Sequence, residues 1–438
     1  MNRNTNGTPG TPQIGVAKAL ERLRAGAMVL VTDDAGREHE ADLILAAEHV
    51  TPAAIAFMIT HGRGLVCLAL TGQRVDALGL PAMVAPEQHN EAHGTAFTVS
   101  VDARVGTTTG ISAQDRAQTI RVLIGSISGA DDLRRPGHVF PLRANAQGVL
   151  GRAGHTEAAV DLARLAGLQP AGVICEVLDD DGRALRGERL YAFARHFDLG
   201  IVTIADLIAY RWHNDHLVER GAEASLPTTE ATFRAIDYRD VVTNEHHVAL
   251  VKGDLAGAGP VLVRLHSECL TGDALGSLRC DCGDQLRLAQ AAIAAEGRGV
   301  LLYLRQEGRG IGLPAKLQAY ALQDAGFDTV EANEQLGYAA DARHYGVAAQ
   351  ILRHLGIQRL SILTNNPAKV AALAGYGFDV VERFPLIAPE RQERRHYLDT
   401  KRSKLGHLLP AGAETAAAPP RRAEVEEHNE ERIAVHGV

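Results

Sequence analysis

The sequence predicts an α/β (α+β) chain built as two mixed α/β domains. Short apolar runs of strand length alternate with segments of helical period through both halves. The periodicity lapses between Trp212 and Thr229, where Asn, His, Gly, Ser and Pro gather. A length of 438 residues suits two or three domains. The expected division is a first domain over 13–211, a linker over 212–229 and a second domain over 230–409, with disordered ends at 1–12 and 410–438.

Composition narrows the class. Hydrophobic residues make up 46%, charged residues 22%, and the net charge is −8. That is the balance of a soluble globular protein. An acidic chain is a poor nucleic-acid binder, although a local basic pocket for phosphates is compatible with it. No apolar run reaches the ~18 residues of a membrane span, and M-N-R-N-T-N-G-T-P-G-T-P lacks the apolar core of a signal peptide. Neither nucleic acid nor membrane is an expected partner. Cys67 and Cys175 lie in apolar strand-like runs, which fits a reducing cytoplasm.

In the first half, Pro12 can open a helix with Ile14, Ala17, Leu20 and Leu23 on one face and Gly26 at its end. Residues 27–32 read as a buried strand. D-D-A-G-R-E-H-E-A-D follows, before an apolar run at 43–47. Such a turn is ordinarily solvated. Yet Glu38, Glu40 and Asp42 alternate, and in an extended segment they would share one face. Three carboxylates there repel unless a cation sits among them, which brings a divalent metal into play. Thr51-Pro52 caps a helix reaching Thr60. Residues 65–70 form a strand with Cys67 packed inside, and T-A-F-T-V-S-V-D from Thr95 alternates as another. In T-T-T-G-I-S-A-Q-D-R, Ser112 and Asp115 resemble a capping box. The threonines and Gly110 would stand at that helix's entrance, where amides attract phosphate.

R-P-G-H-V-F-P-L and G-R-A-G-H-T-E-A-A-V-D-L set His138 and His155 directly after a glycine, each near an arginine and a turn. His155 precedes a helix over 157–166. The strand A-G-V-I-C-E-V then carries Glu176 among apolar residues. Desolvation makes a carboxylate there costly unless it is paired or protonated, so Glu176 is a candidate acid or base of raised pKa. A helix over 188–197 and a strand over 201–204 complete the half.

Together R-E-H-E-A-D, T-T-T-G-I-S-A-Q-D-R, R-P-G-H-V-F-P-L and R-A-G-H-T-E-A-A-V-D-L resemble 3,4-dihydroxy-2-butanone 4-phosphate synthase over nearly all of 14–211. That enzyme rearranges ribulose 5-phosphate and expels formate. The resemblance implies Glu38 and His155 as ligands to magnesium or manganese. It implies ribulose 5-phosphate contacts from Arg37, Glu38, Asp42, Arg152, Ala153, Gly154, His155, Thr156 and Glu176. His138 and Glu176 would carry the acid–base steps, and the protein would be a homodimer. The chemistry is consistent, since taking a proton beside a ketone needs a base and a cation that stabilises the enediolate. The family usually reads R-E-N-E-G-D, so His39 and Ala41 replace Asn and Gly. The loop from Ala85 also departs from the family's V-E-N-N.

In the second half, strands are expected over 233–238, 247–252 and 261–265. The last leads into a loop where Cys269, Cys280 and Cys282 follow the spacing C-x10-C-x-C. If the loop doubles back, three thiolates meet. Three protein ligands and a water suit catalytic zinc, whereas a structural site needs a fourth, for which His266 is nearest. Free thiols remain the third possibility. The polar density around the cysteines, from Arg264 to Gln285, favours a site for a polar substrate. A helix follows over 285–295 and a strand over 300–304, ending in R-Q-E-G-R-G-I-G. This is no P-loop, but its glycines and Arg305 and Arg309 suit an anion. Pro314 opens a helix to Asp324. Asp341 and Arg343, near a helix start, would ordinarily be a cap and a surface charge. T-N-N-P-A-K makes a phosphate-facing turn before a helix begun by Pro367.

R-L-H-S-E-C-L-T-G-D with C-D-C-G-D-Q closely resembles GTP cyclohydrolase II, over 233–409. That enzyme opens the imidazole ring of GTP at the start of riboflavin synthesis. The resemblance implies one zinc on Cys269, Cys280 and Cys282, and magnesium with the nucleotide. It implies GTP contacts from Arg264, Leu265, His266, Ser267, Glu268, Gln285, Glu307, Gly308, Arg309, Thr329, Thr364 and Lys369. Asp341 would accept a proton, Arg343 would attack the α-phosphate, and Tyr320 would assist ring opening. A guanidinium with a pKa above ~12 is a poor nucleophile, so a carboxylate neighbour is needed. The family more often has Asn where Ala315 stands. The expected whole is a bifunctional enzyme of riboflavin synthesis acting on ribulose 5-phosphate and GTP. The alternative, GTP cyclohydrolase II alone beside a weakened synthase half, rests on His39 and Ala41. A non-catalytic zinc module is opposed by the missing fourth ligand.

Overall fold

Apolar residues in the first half alternate between the two faces of one sheet. The computed structural model describes residues 12–409 other than 258, 340, 342, 344 and 390. The ends expected to be disordered therefore lie outside the described residues, Pro12 apart. The chain divides between Asp215 and His216 into two units.

The first unit holds β1 (Val29–Thr32), β2 (Ala41–Ala46), β3 (Cys67–Leu70), β4 (Val101–Ala103), β5 (Leu133–Arg143), β6 (Ala171–Glu176) and β7 (Gly200–Thr203). Their order is β4-β5-β3-β6-β2-β1-β7. β3–β5 and β1–β7 pair in parallel, the rest antiparallel. Leu30, Leu43, Leu68 and Val173 enter one core with Ile55, Ile120 and Leu190 from covering helices. Val31, Ile44, Cys67 and Ile174 enter the other with Leu20, Leu162 and Leu207. Both faces are thus covered, and β2 is buried at every position. Each such leucine contributes about 1.5–3 kcal/mol of transfer free energy.

Several boundaries differ from the sequence reading. The first helix starts at Val16, not Pro12, because Pro12 and Ile14 bond to the backbone of Ile201 on β7. Only Val101–Ala103 of the run from Thr95 is a strand. Phe97 and Thr98 make single bridges to Leu142 and Ala82, on different neighbours. Glu38, Glu40 and Asp42 do not lie in one strand, since Glu38 ends the turn 35–38 and β2 begins only at Ala41. The boundary between the two units falls inside the segment 212–229, but the segment is not irregular. A helix, Ile204–Asn214, runs into it with Trp212 buried, and a strand, Val218–Pro227, follows. That strand is exposed along nearly all its length, so it shows no apolar alternation to read.

The second unit orders that strand, β8, with β9 (Thr232–Asp240), β10 (His246–Lys252), β11 (Val261–Ser267), β12 (Gly299–Leu304), β13 (Arg359–Leu363) and β14 (Asp379–Phe384) as β14-β13-β11-β12-β10-β9-β8. The first four are mutually parallel and the last three join antiparallel. Phe233, Leu250, Leu262 and Leu301 pack with Ala289 and Ile293. In an open α/β sheet, ligands sit beyond the carboxyl ends of parallel strands. Here the cysteine loop follows β11, the Glu307–Gly310 turn follows β12, and Thr364–Asn366 follows β13. Among the described residues, no helix is long and apolar enough to cross a membrane.

Candidate active sites

In the first unit, Asp33 organises the turn that delivers Glu38. Its Oδ2 accepts from Glu38 N at 3.0 Å and Arg37 at 3.1 Å, and its Oδ1 from Glu40 N at 2.9 Å. Arg37 also pairs with Glu38 at 2.9 Å. Arg186 donates to the carbonyls of His39, at 2.5 Å, and Glu38, at 3.2 Å. His155 opens the helix His155–Leu165. Its Nδ1 lies 3.5 Å from Glu38 Oε2 and 3.9 Å from Asp42 Oδ1. Ligand-type atoms of Asp33, Glu38 and His155 fall within 4.8 Å of one another. Asp42 Oδ1 and His155 Nε2 are buried without a hydrogen-bond partner. Orphaned groups beside a carboxylate set fit a hard divalent cation.

The electrostatics agree. The hydrogen bond from His155, with Arg37 beside it, brings Glu38 down to about 2 against the opposing effect of burial. Burial pushes Asp42 up to about 7. Burial works against the His155 cation, but Asp42 and Glu38 outweigh it and raise that group to about 9. Asp42 is thus a buried carboxylate of raised pKa. Glu176 is the half-buried last residue of β6, in register with Asp42, and its Oε2 accepts from Leu65 N at 2.8 Å. A Cβ on Gly64 would stand 2.5 Å from that oxygen, so glycine permits the approach.

His138 sits in a second group. Its Nδ1 is 2.8 Å from Asp102 Oδ2, and its backbone N–H donates to Asp102 Oδ1 at 2.9 Å. This fixes the ring and leaves Nε2 as its working nitrogen. Gly110, at φ +99°, packs so close that a Cβ would meet Asp102 Oδ2 at 2.1 Å. Two amides of this loop, those of Thr108 and Gly110, are already bonded within the protein. Asp115 accepts from Thr108 N at 3.0 Å, Thr108 Oγ1 at 2.7 Å and Gly110 N at 3.0 Å. Arg152 is likewise committed, to His93 O at 2.8 Å, Thr95 Oγ1 at 2.7 Å and Glu157 at 2.6 Å. It braces the 93–95 loop. Ala153 and Gly154 form the turn before His155, and Thr156 is buried in the helix.

In the second unit the cysteine loop does double back. The sulfurs of Cys269, Cys280 and Cys282 lie within 4.8 Å of one another, and Cys269 is 3.7 Å from Cys280. Gly272 makes room, since its Cβ would stand 2.8 Å from Cys280 Sγ. Hydrogen bonds from the other two thiols, then the Lys316 cation, hold Cys269 far below the usual thiol range. The hydrogen bond to Cys269, with burial, in turn raises Cys280 to about 11. Three thiolates this close require a cation among them, which is the chemistry of a zinc donor set. Among the described residues no fourth ligand-type atom joins the three sulfurs, and His266, whose Nε2 faces Asp273 at 3.0 Å, is not in the set. The set therefore keeps an open position.

The sulfurs line an open cleft. Arg264, His266, Ser267, Glu268, Gln285, Glu307, Gly308, Arg309, Tyr320, Thr329, Arg343, Thr364 and Lys369 line it too, whereas Leu265 and Asp341 do not. Leu265 instead offers its carbonyl to Lys369 Nζ at 2.8 Å. Asp341 grips Arg343 through two bonds, 2.8 Å to Nε and 2.5 Å to the terminal nitrogen. Burial opposes the Arg343 cation, but Asp341 raises its basicity above that of free arginine. Burial and neighbouring Arg264 and Arg343 push Lys369 well down. Two expected contacts are already occupied. Gln285 accepts from Arg264 at 2.6 Å and donates to Asp281 at 2.7 Å, and Asp281 accepts from Lys401 at 2.6 Å. Glu307 accepts from Lys316, Leu270 N and Gly308 N at 2.7, 2.7 and 2.9 Å. Sequence reasoning missed Lys316, Tyr397 and Lys401, which also line the cleft. Their one signal is an i, i+4 spacing, Lys316 to Tyr320 and Tyr397 to Lys401, which also describes a surface helix.

Fold and sites define an enzyme of two α/β domains, one with a carboxylate–imidazole set and one with a three-thiolate cleft rich in arginine and lysine. The family profile of 3,4-dihydroxy-2-butanone 4-phosphate synthase matches residues 17–210, and that of GTP cyclohydrolase II matches 219–385. The riboflavin biosynthesis protein RibBA of Bacillus cereus is 57% identical over 395 residues, covering 90% of this chain and 98% of its own. Its counterpart in Bacillus cytotoxicus is 55% identical over 394 residues, with the same coverage of 90% and 98%. Among solved structures, RibBX, a two-domain 3,4-dihydroxy-2-butanone 4-phosphate synthase from A. baumannii, matches with TM-score 0.65 and 39% identity, over 85% of this chain and 99% of that one. The chain belongs to the RibBA family of bifunctional riboflavin biosynthesis enzymes, joining a synthase (lyase) domain to a GTP cyclohydrolase II (hydrolase) domain.

Proposed function

We propose that each unit completes its own reaction. The first converts ribulose 5-phosphate to 3,4-dihydroxy-2-butanone 4-phosphate and formate. The second converts GTP to the diamino-ribosylaminopyrimidinone phosphate, formate and pyrophosphate. The observation that carries the reading is the meeting of three cysteine sulfurs in a cleft shared with Arg264, Arg343 and Lys369.

In the first unit Glu38 and His155 would hold magnesium or manganese, which stabilises negative charge on substrate oxygens. Arg37, Asp42 and the segment from Arg152 to Thr156 surround the sugar phosphate. His138, oriented by Asp102, and Glu176, held by Leu65 N, move the protons. In the second unit Cys269, Cys280 and Cys282 would hold one zinc, which supplies a nucleophile by acidifying water to a pKa of ~7. Tyr320, its hydroxyl 3.2 Å from Thr271 Oγ1, serves the opening ring. Arg309 and Lys369, with magnesium, neutralise the departing pyrophosphate. Arg343 forms the bond to the α-phosphorus as the bond to pyrophosphate breaks, and its proton passes to Asp341. The two-bond contact between Asp341 and Arg343 supports this reading. A homodimer in the cytoplasm completes the reading, as the family resemblance implies.

Arg343→Ala tests the order of events at the GTP site. With zinc bound, we expect neither pyrophosphate nor ring-opened product. Mass spectrometry showing a ring-opened triphosphate at near wild-type rate would overturn obligatory attachment through Arg343.

A further inference from the structure

Lys316 has no part in the reactions as assigned above, yet it touches a metal-type ligand. It lies in the helix Gly312–Asp324 and is 8% exposed. Its ammonium has three donors, and three acceptors meet them: Cys269 Sγ at 3.1 Å, Thr271 Oγ1 at 3.0 Å and Glu307 Oε1 at 2.7 Å. A lysine buried this deeply is costly unless every donor is paired. Here the pairing links two loops. Cys269 and Thr271 belong to the loop after β11. Glu307 begins the turn after β12, where Gly308 and Arg309 have φ of +62° and +63°.

Glu307 closes the connection from its side. Its Oε2 accepts from Leu270 N at 2.7 Å, the residue next to Cys269, and its Oε1 accepts from Gly308 N at 2.9 Å. One carboxylate and one ammonium thus fasten the sulfur to the turn that carries Arg309. Lys316 Nζ also lies 5.6 Å from the centre of the Tyr320 ring, and the Tyr320 hydroxyl shares Thr271 Oγ1. A thiolate that accepts a hydrogen bond from a cation donates less charge to a metal, and the metal is then the stronger Lewis acid.

We propose that Lys316 is a positioning residue for GTP ring opening: it draws charge from the Cys269 thiolate and fixes that sulfur to the Glu307–Gly310 turn. This rests on the zinc reading above, so the test separates the two. The full chain, wild type and Lys316→Met, is loaded with cobalt(II), and the sulfur-to-cobalt charge-transfer band is recorded. Zinc affinity is measured by chelator competition, and kcat and KM for GTP are determined. A wild-type protein without a cobalt–thiolate band would remove the zinc reading itself, and this inference with it. With the band present, Lys316→Met should move it to longer wavelength and change zinc affinity, because the freed thiolate is a stronger donor and is no longer fixed to the turn. It should lower kcat more than it changes KM. An unmoved band with unchanged affinity would overturn the proposal. If Lys316→Met takes up no cobalt, Lys316→Arg decides. Recovery of the band near its wild-type position supports a cationic donor, and failure to recover it assigns Lys316 to the fold alone and overturns the proposal.

Discussion

At the scale of single residues, the first site is a set of linked protonations. Asp42 is raised to about 7, His155 to about 9, and Glu38 is lowered to about 2. The signs decide what pH does. Glu38 is ionised throughout the neutral range, its stabilising effect being lost only as pH falls through about 2. The preference of the fold for protonated Asp42 and His155 is lost as pH rises through about 7 and about 9. A cation on Glu38 and His155 needs His155 neutral and favours the ionised form of nearby Asp42, so its binding releases protons. Manganese affinity of the full chain, followed by the paramagnetic resonance of free ion, should therefore increase from pH 6 to pH 9. Asp42→Asn should flatten that rise. An affinity that did not change with pH would contradict the charge assignment. The sequence exposed Glu38, Asp42 and His155 because a charged turn and a glycine–histidine pair are legible patterns. It looked for the buried carboxylate at Glu176, which is half-buried, and not at Asp42, because strand context alone does not tell a half-buried end from a buried middle. His39 is explained only by the backbone. It sits at φ +56°, a left-handed position that suits Asn or Gly better than His, and Arg186 holds its carbonyl. Ala41, 1% exposed on β2, packs into the core.

At the scale of elements, loops at strand ends make the sites, and single polar side chains hold the loops. Ser112 caps its helix by accepting from Asp115 N at 3.0 Å. Asp115 does not return the bond as a capping box would. It reaches to Thr108 and Gly110 and so seats Gly110 against the His138–Asp102 pair. Asp115→Ala should lower formate release from ribulose 5-phosphate at least tenfold, roughly the effect of misplacing one acid–base group. GTP turnover should be unaffected. Equal rates on ribulose 5-phosphate in the two proteins would show that the loop needs no such anchor. The helix at Ser112 and the turn at Pro367 were legible from cap chemistry, since Asn366 accepts from Ala368 N at 2.9 Å. β8 was not legible, because an exposed edge strand buries too little to show a period. The partners of Asp115, Arg152, Gln285 and Glu307 were not legible either. Those of Arg152, Gln285 and Glu307 include residues 59, 21 and 37 positions away, and those of Asp115 depend on how its own loop folds back.

At the scale of the whole molecule, each unit has its own sheet and its own core. Each also has its own ligand set, the carboxylate–imidazole group in the first and the three sulfurs in the second. The account's central claim is that the two chemistries are separable in one chain. Formate is released from both substrates, so it can be counted from each with the same assay. The decisive measurement is formate release from ribulose 5-phosphate and from GTP, each supplied alone, with bound zinc determined on the same samples of wild type, Cys280→Ser and Glu176→Gln. Cys280→Ser should lose zinc and all formate from GTP while keeping the ribulose 5-phosphate rate. Glu176→Gln should do the reverse, with zinc retained. A Cys280→Ser chain that opened GTP at the wild-type rate without zinc, or either substitution abolishing both activities in folded protein, would contradict the account.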